Sequence, residues 1–255
     1  MLRVLNRAAP LIALIAILGL WELACRLLAV PSFILPAPSA IAHAAFKLSL
    51  ANWAVHFWAT LRVSLSGFLL SIAIGIPLAI LLALSPLLSR TIYPILIIIQ
   101  STPIVAIAPI IVVTLGADDL PKIVITFIIA FFPIVISTAT GLLSTPPELI
   151  ELSRSLRGGK RREITQIRLP YAVPHIFSGL RVAVTLAVIG AVVAELVAAD
   201  QGLGYFISMS TSLFKMPQAF AALFVLIAMS LGLFYAVALL QTLLFPWSLP
   251  KKPQL

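Results

Sequence analysis

The sequence predicts an all-α membrane protein of about six transmembrane helices with both termini cytoplasmic. Three observations carry that expectation. Of 255 residues, 62% are hydrophobic and 10% charged, against about 25% charged in a soluble domain. Such a chain cannot cover an ordinary water-facing surface. Several stretches also reach the roughly 20 apolar residues needed to cross about 30 Å of hydrocarbon. Finally, the lysines and arginines gather in alternate loops, as the positive-inside rule requires.

In chain order, the first span is expected at 9–29, as an uncleaved helix rather than a signal peptide. Glu22 and Arg26, four residues apart, face each other on one side of that helix and read as a structural pair. Ile34-Leu35-Pro36-Ala37-Pro38-Ser39 forbids a continuing helix and reads as an extended connector. Residues 40–60 are expected to lie as a short helix at the outer interface. There Phe46, Trp53, Phe57 and Trp58 would form part of an aromatic belt. Further spans are expected at 63–84, 92–115, 121–143, 181–199 and 219–245.

Two of these spans carry polar groups. Gln100-Ser101-Thr102-Pro103 places three polar side chains and a helix breaker inside the third. The backbone groups freed by proline must meet protein or a cavity, so a packing kink and a solute-pathway lining both fit. Glu195, in the fifth, must face the interior or water. It can line the pathway, pair with a cation from another helix, or bond neighbouring backbone. In the turn Gly116-Ala117-Asp118-Asp119-Leu120-Pro121, Asp118 or Asp119 is expected to cap the next helix.

Orientation follows from the cations. Twelve (Arg3, Arg7, Arg90, Arg154, Arg157, Lys160, Arg161, Arg162, Arg168, Arg181, Lys251 and Lys252) fall on one side, taken as cytoplasmic. The other five (Arg26, Lys47, Arg62, Lys122 and Lys215) lie outside or near outer span ends. The net charge of +9 is thereby accounted for by topology and lipid headgroups, without nucleic acid. A single Cys25 excludes an internal disulfide, and His43, His56 and His175 show no metal-ligand spacing.

The stretch 148–170 is the long polar interruption of the single domain 1–255. Ser144-Thr145-Pro146-Pro147 is a helix start signal, and Glu148 and Glu151 suit the positive end of the dipole. Leu149, Leu152, Ser153 and Leu156 recur with helical period and should form an apolar underside. Glu148, Glu151, Arg154 and Ser155 would then occupy the outer face. Gly158-Gly159 is expected to end this helix in a left-handed turn. A second short helix, Lys160 to Arg168, should stop at Leu169-Pro170. An elbow of this kind, with acids that suit an anionic lipid surface poorly, points to a soluble docking partner.

Here the chain resembles the permease subunits of binding-protein-dependent ABC importers. Their cytoplasmic signature is E-A-A, three residues, G, nine residues, I, one residue, L-P. Glu151-Leu152-Ser153, Arg157, Ile167 and Leu169-Pro170 stand at that spacing without a gap. Leu152 and Ser153 replace two alanines, and Arg157 replaces the glycine, so the bend is expected at Gly158 or Gly159 instead. Trp21-Glu22, Leu35-Pro36-Ala37-Pro38-Ser39, Phe132-Pro133, Ser178-Gly179-Leu180-Arg181, Ala194-Glu195 and Gly202-Leu203-Gly204-Tyr205 extend the likeness along most of the chain. They place it near the nitrate, sulfonate and taurine branch.

The resemblance implies a type I ABC importer permease fold in the bacterial cytoplasmic (inner) membrane. It implies a pair of such permeases, two ATP-binding subunits and an external or periplasmic solute-binding protein. Glu148, Glu151, Leu152, Arg154, Leu156, Arg157, Gly158, Gly159, Ile167 and Pro170 would then form the coupling loop. Gln100, Ser101, Thr102 and Glu195 are the candidates for the pathway. No phosphate-binding G-x-x-x-x-G-K-[ST] loop is present, so ATP and Mg would reside on the partner and this chain would be no enzyme by itself. A stand-alone secondary transporter or channel is the alternative.

Overall fold

The computed structural model describes residues 2–116 and 118–249. Ala117 of the predicted turn and Lys251 and Lys252 of the predicted cytoplasmic set lie outside the described residues, as do the side chains of Arg3 and Arg7. Among the described residues the chain is helical without strands. In order come α1 (Leu2–Leu27), α2 (Pro38–Lys47), α3 (Leu50–Leu84), α4 (Pro86–Ser101), α5 (Ile104–Leu115) and α6 (Asp119–Leu143). They are followed by α7 (Pro147–Ser155), α8 (Lys160–Glu163), a π-helical stretch (Ile164–Arg168), α9 (Leu169–Val197), α10 (Leu203–Ser212) and α11 (Met216–Leu244).

Among the described residues, α3, α6, the continuous run Lys160–Val197 and α11 are each long and apolar enough to cross a membrane, and the pair α4–α5 makes up to five. The predicted 9–29 span falls on α1, a helix of 26 residues.

Three expectations need correction. Residues 50–60 are not a separate interfacial helix but the first turns of α3, which runs unbroken for 35 residues from a Ser49 cap. Trp53 packs inward on Phe206, ring centroids 5.5 Å apart, with its Nε1–H donating to the Ala45 carbonyl at 3.0 Å. Only Phe46 and Trp58 of the proposed belt stay largely exposed. Nor is the predicted 92–115 span one rod: α4 and α5 meet at a 92° bend. Thr102 precedes proline and is held extended, at φ −79° and ψ 128°, because Pro103 disfavours the helical conformation there. Asp118, finally, starts α6 without a side-chain cap. Asp119 instead pairs with Arg62 of α3 and, at 3.3 Å, with Lys122.

The centre of the bundle is α6 between α3 and α9. The Ser71 hydroxyl donates to the Phe127 carbonyl at 3.1 Å across the α3–α6 seam. On the other side a Cβ at Gly190 would lie 2.9 Å from Thr126 Cα, so α9 and α6 run nearly backbone to backbone. Small residues permit that approach, and close packing is what holds helices together once lipid replaces water. Phe68, Ala130, Ile134, Leu142, Ala172, Ile176, Ala183 and Ala187 fill the core.

Candidate functional site

Two ends of the bundle and one bend carry the polar chemistry. At the first end, α6 finishes at Leu143 and Pro147 opens α7, as the proline-in-first-turn signal predicted. The face α7 buries was not predicted correctly. Ile150 and Ser153 point inward, whereas Leu149, Leu152 and Leu156 are 42%, 57% and 69% exposed. Periodicity gathers the leucines on one stripe but does not say which way the stripe faces. Together with Ser153, Arg162 and Ile167 they edge a cleft of ≈ 260 Å³. Glu148, Glu151 and Arg154 surround them, all exposed.

The bend after α7 also differs from expectation. Arg157, not a glycine, takes the left-handed conformation, at φ 56°. Gly158 N–H donates to the Ser153 carbonyl at 2.7 Å and Arg157 N–H to the Arg154 carbonyl at 2.9 Å. That pair of bonds is the Schellman closure, with Arg157 at the position glycine usually fills. The signature's glycine position therefore keeps its backbone role even though it is occupied by arginine. Gly158 is needed for a different reason, since a Cβ there would run into Ser153 Oγ and lie 2.7 Å from its carbonyl oxygen. Gly159 is ordinary extended backbone, at φ −71°, immediately before α8.

Pro170 does not stop a second short helix. It sits in the first turn of α9, and the chain passes into it through the π-helical stretch. There Leu169 N–H bonds the Ile164 carbonyl, five residues back. The wider turn makes room for a ring that would otherwise strike the carbonyl one α-turn earlier.

The α4–α5 bend brings a second set of candidates to a cleft of ≈ 510 Å³, lined by Gln100 and Thr102 with Phe127, Phe131, Phe132 and Leu186. Ser101 and Thr102 donate their hydroxyls to the Ile97 and Ile98 carbonyls, at 2.8 and 3.1 Å, in the last turn of α4. Gln100 makes no hydrogen bond to protein among the described residues.

Glu195 belongs to neither cleft. It is 2% exposed at the opposite end of the bundle from α7. Its Oε2 accepts from Gly204 N–H at 2.8 Å and from the Thr60 hydroxyl at 3.0 Å. Thr60 Oγ1 in turn accepts Leu203 N–H at 2.8 Å, and His56 Nδ1 accepts Gly202 N–H at 3.2 Å. Of its three possible uses, bonding neighbouring backbone is what the geometry displays. Gly202 is at φ 121°, and a side chain on it would fall onto the Glu195 carboxylate. Reading the sequence missed Thr60 and His56, whose partners lie some 140 positions further along the chain (143 and 146). It likewise missed Glu163 and Arg168 as a pair. Glu22, by contrast, does pair with Arg26 at 2.6 Å and also accepts from Ser39 N–H and Oγ–H, joining α1 to α2.

Comparison with known proteins agrees with the geometry. The model of the family described as binding-protein-dependent transport system inner membrane component matches residues 75–248. The formylaminopyrimidine transport permease protein ThiX of Halalkalibacterium halodurans is 35% identical over 238 residues, covering 93% of this chain and 95% of that one. The putative aliphatic sulfonates transport permease protein SsuC of Bacillus subtilis is 28% identical, over 91% and 84% of the two chains. Among solved structures, an inward-facing MetNI methionine ABC transporter superposes with a TM-score of 0.64 at 22% identity, over 72% of this chain and 91% of that one.

Proposed function

Because this chain belongs to the inner membrane components of binding-protein-dependent transport systems, and is thus a membrane permease subunit of an ABC importer, we propose that the 148–170 loop is where a separate ATPase subunit docks. The observation that carries this is the outward leucine stripe. Leu149, Leu152 and Leu156 stand exposed at the end of the bundle, edged by Glu148, Glu151 and Arg154, beside a cleft deep enough to take a side chain. A compact apolar patch with a charged rim is the composition of a protein interface. Lipid headgroups would favour cations alone.

In this reading two copies of the chain assemble with two ATP-binding subunits, which hold ATP and Mg. The loop faces the cytoplasm together with both termini. Closure of the ATPase pair displaces α7, and the movement passes into α6 and α9. The solute, handed over by an external binding protein, crosses near the α4–α5 bend, where Gln100, Ser101 and Thr102 stand. The aromatic wall of that cleft and the free Gln100 amide suit a planar nitrogen heterocycle, of the kind ThiX is named for, better than a sulfonate. Glu195 is assigned to holding the turn at the opposite end.

Combining Glu151→Ala with Leu156→Asp tests the docking surface. Co-purification of the ATPase subunit and solute uptake should both be lost while the permease remains folded in membranes. Unchanged association and uptake would overturn the reading. A stand-alone carrier, the alternative, would transport in liposomes without any ATPase subunit.

A further inference from the structure

Between the loop and the spans lies a joint that docking alone does not use. Glu163 is the last residue of α8, and Arg168 ends the π-helical stretch. Five residues apart on a regular α-helix they would point about 140° away from each other. The π-turn widens the helix and lets them meet. Arg168 presents Nε and Nη2 to Glu163 Oε1, at 2.9 and 2.8 Å. The remaining corner of the guanidinium, Nη1, donates to the Leu142 carbonyl at 3.2 Å. That carbonyl belongs to the last turn of α6, where orphan acceptors and the negative end of the helix dipole favour a cation. Both side chains are withdrawn from solvent, at 10% and 15% exposure. Arg154 of α7 adds a looser contact to Glu163, at 3.6 Å.

This arrangement spans a place where the chain would otherwise hinge. α7 follows α6 after the short connection 144–146, and α8 runs into α9 through the π stretch, a break in the regular i→i+4 ladder. We infer that Arg168, held by Glu163, is a positioning residue that braces this joint, so that a displacement of the docking loop carries the ends of α6 and α9 with it. The inference rests on the docking role of the loop. A fork of donors on a planar group can grip a carboxylate and a carbonyl together, which a lysine ammonium cannot do with the same fixed geometry. Without the brace, the loop would swing on the π stretch and leave the spans behind.

The experiment uses the complete complex of permease and ATPase subunits in nanodiscs. Spin labels are placed on Ser155→Cys, in the loop, or on Leu143→Cys, at the end of α6, and the distance between the two copies is read by pulsed dipolar spectroscopy. In the otherwise unaltered complex, trapping the ATPase with ADP–vanadate should shift both distances. In Arg168→Gln and in Glu163→Gln the loop shift should persist while the α6 shift falls below about half. Arg168→Lys should be intermediate, and it carries the test should Arg168→Gln fail to assemble. ATPase co-purification should be unchanged in all three, which a merely structural defect would not allow. An α6 shift of full size in Arg168→Gln and Glu163→Gln, or in Arg168→Lys where that variant carries the test, would falsify the brace. A loop distance that does not respond to vanadate even in the unaltered complex overturns the docking reading, and the brace with it.

Discussion

At one end of the bundle Glu195 is enclosed, with two neutral donors on one oxygen and glycines at 202 and 204 pressed against its carboxylate. At the other end Glu148 and Glu151 stand in the open, beside leucines left exposed among the described residues. Both ends use acids at helix ends, yet the physics differs. The Glu195 network is internal: its donors are the Thr60 hydroxyl of α3 and the Gly204 N–H in the first turn of α10, both on Oε2, and the carboxylate is buried away from any surface. The loop end is open, with apolar area and charge still unpartnered. Glu163 stands between the two cases, withdrawn like Glu195 but bonded to cations that reach into neighbouring elements. Burial of a charged group in a permease thus marks internal fastening, while exposure beside apolar surface marks an interface.

Substitutions can break this contrast or sharpen it. Glu195→Ala should have the largest effect, because Gly204 N–H and the Thr60 hydroxyl lose their shared acceptor in a buried site. The loss is about 3 kcal/mol, read as a lower unfolding midpoint in detergent, while whatever folds still binds the ATPase subunit. Gly158→Ala clashes with Ser153 and, at a local cost of about 2 kcal/mol, should open the exposed turn after α7 rather than unfold the bundle. Its damage should appear as lost ATPase association with little change in the midpoint, the reverse pattern. If both variants move the same readout, the two ends are not functionally distinct. Arg157→Gly should relieve a left-handed side chain and stabilise by about 1 kcal/mol, partly offset by a freer unfolded chain. The same melt detects it as a small rise. Arg62→Gln removes a largely exposed ion pair with Asp119 and should change the midpoint by less than about 0.5 kcal/mol equivalent.

The spans were legible because hydropathy over 20 residues is a property of composition, and composition survives any packing. At Thr102-Pro103 a kink was one of two open readings, because proline acts on its immediate neighbour, but a 92° break in place of a continuous span was not legible. The loop was legible from spacing, and its helix start from Pro147. Other features depended on facts a linear pattern does not contain. The direction of the α7 stripe is set by Ile150 and Ser153 winning the inward side, a matter of tertiary fit. Arg157 was passed over because glycine is the better left-handed residue, yet the Schellman bonds fix the position and tolerate the cost. Pro170 looked like a stop because an α-helix cannot admit it, whereas a π-turn can. The Glu163–Arg168 pair was hidden for the same reason, five being the wrong spacing for a helix of 3.6 residues per turn. The partners of Glu195 are distant in sequence, and His56 and Thr60 stand within the largely apolar α3, where no local pattern marks them.

The break between α4 and α5 has a mechanical corollary. The two bonds Thr102 makes at the joint, N–H to the Ile99 carbonyl at 3.2 Å and Oγ–H to the Ile98 carbonyl at 3.1 Å, both run back into α4, so neither ties α4 to α5. Pro103 cannot rotate about φ, and Thr102 is confined to extended conformations by the ring that follows it. What freedom is left lies mostly in two ψ angles. The joint therefore behaves less like a ball and socket than like a door on its pins: compliant along one arc and stiff along the others. Whatever drives α4 and α5 apart, Gln100 and the phenylalanine wall would open and shut along a single repeatable track.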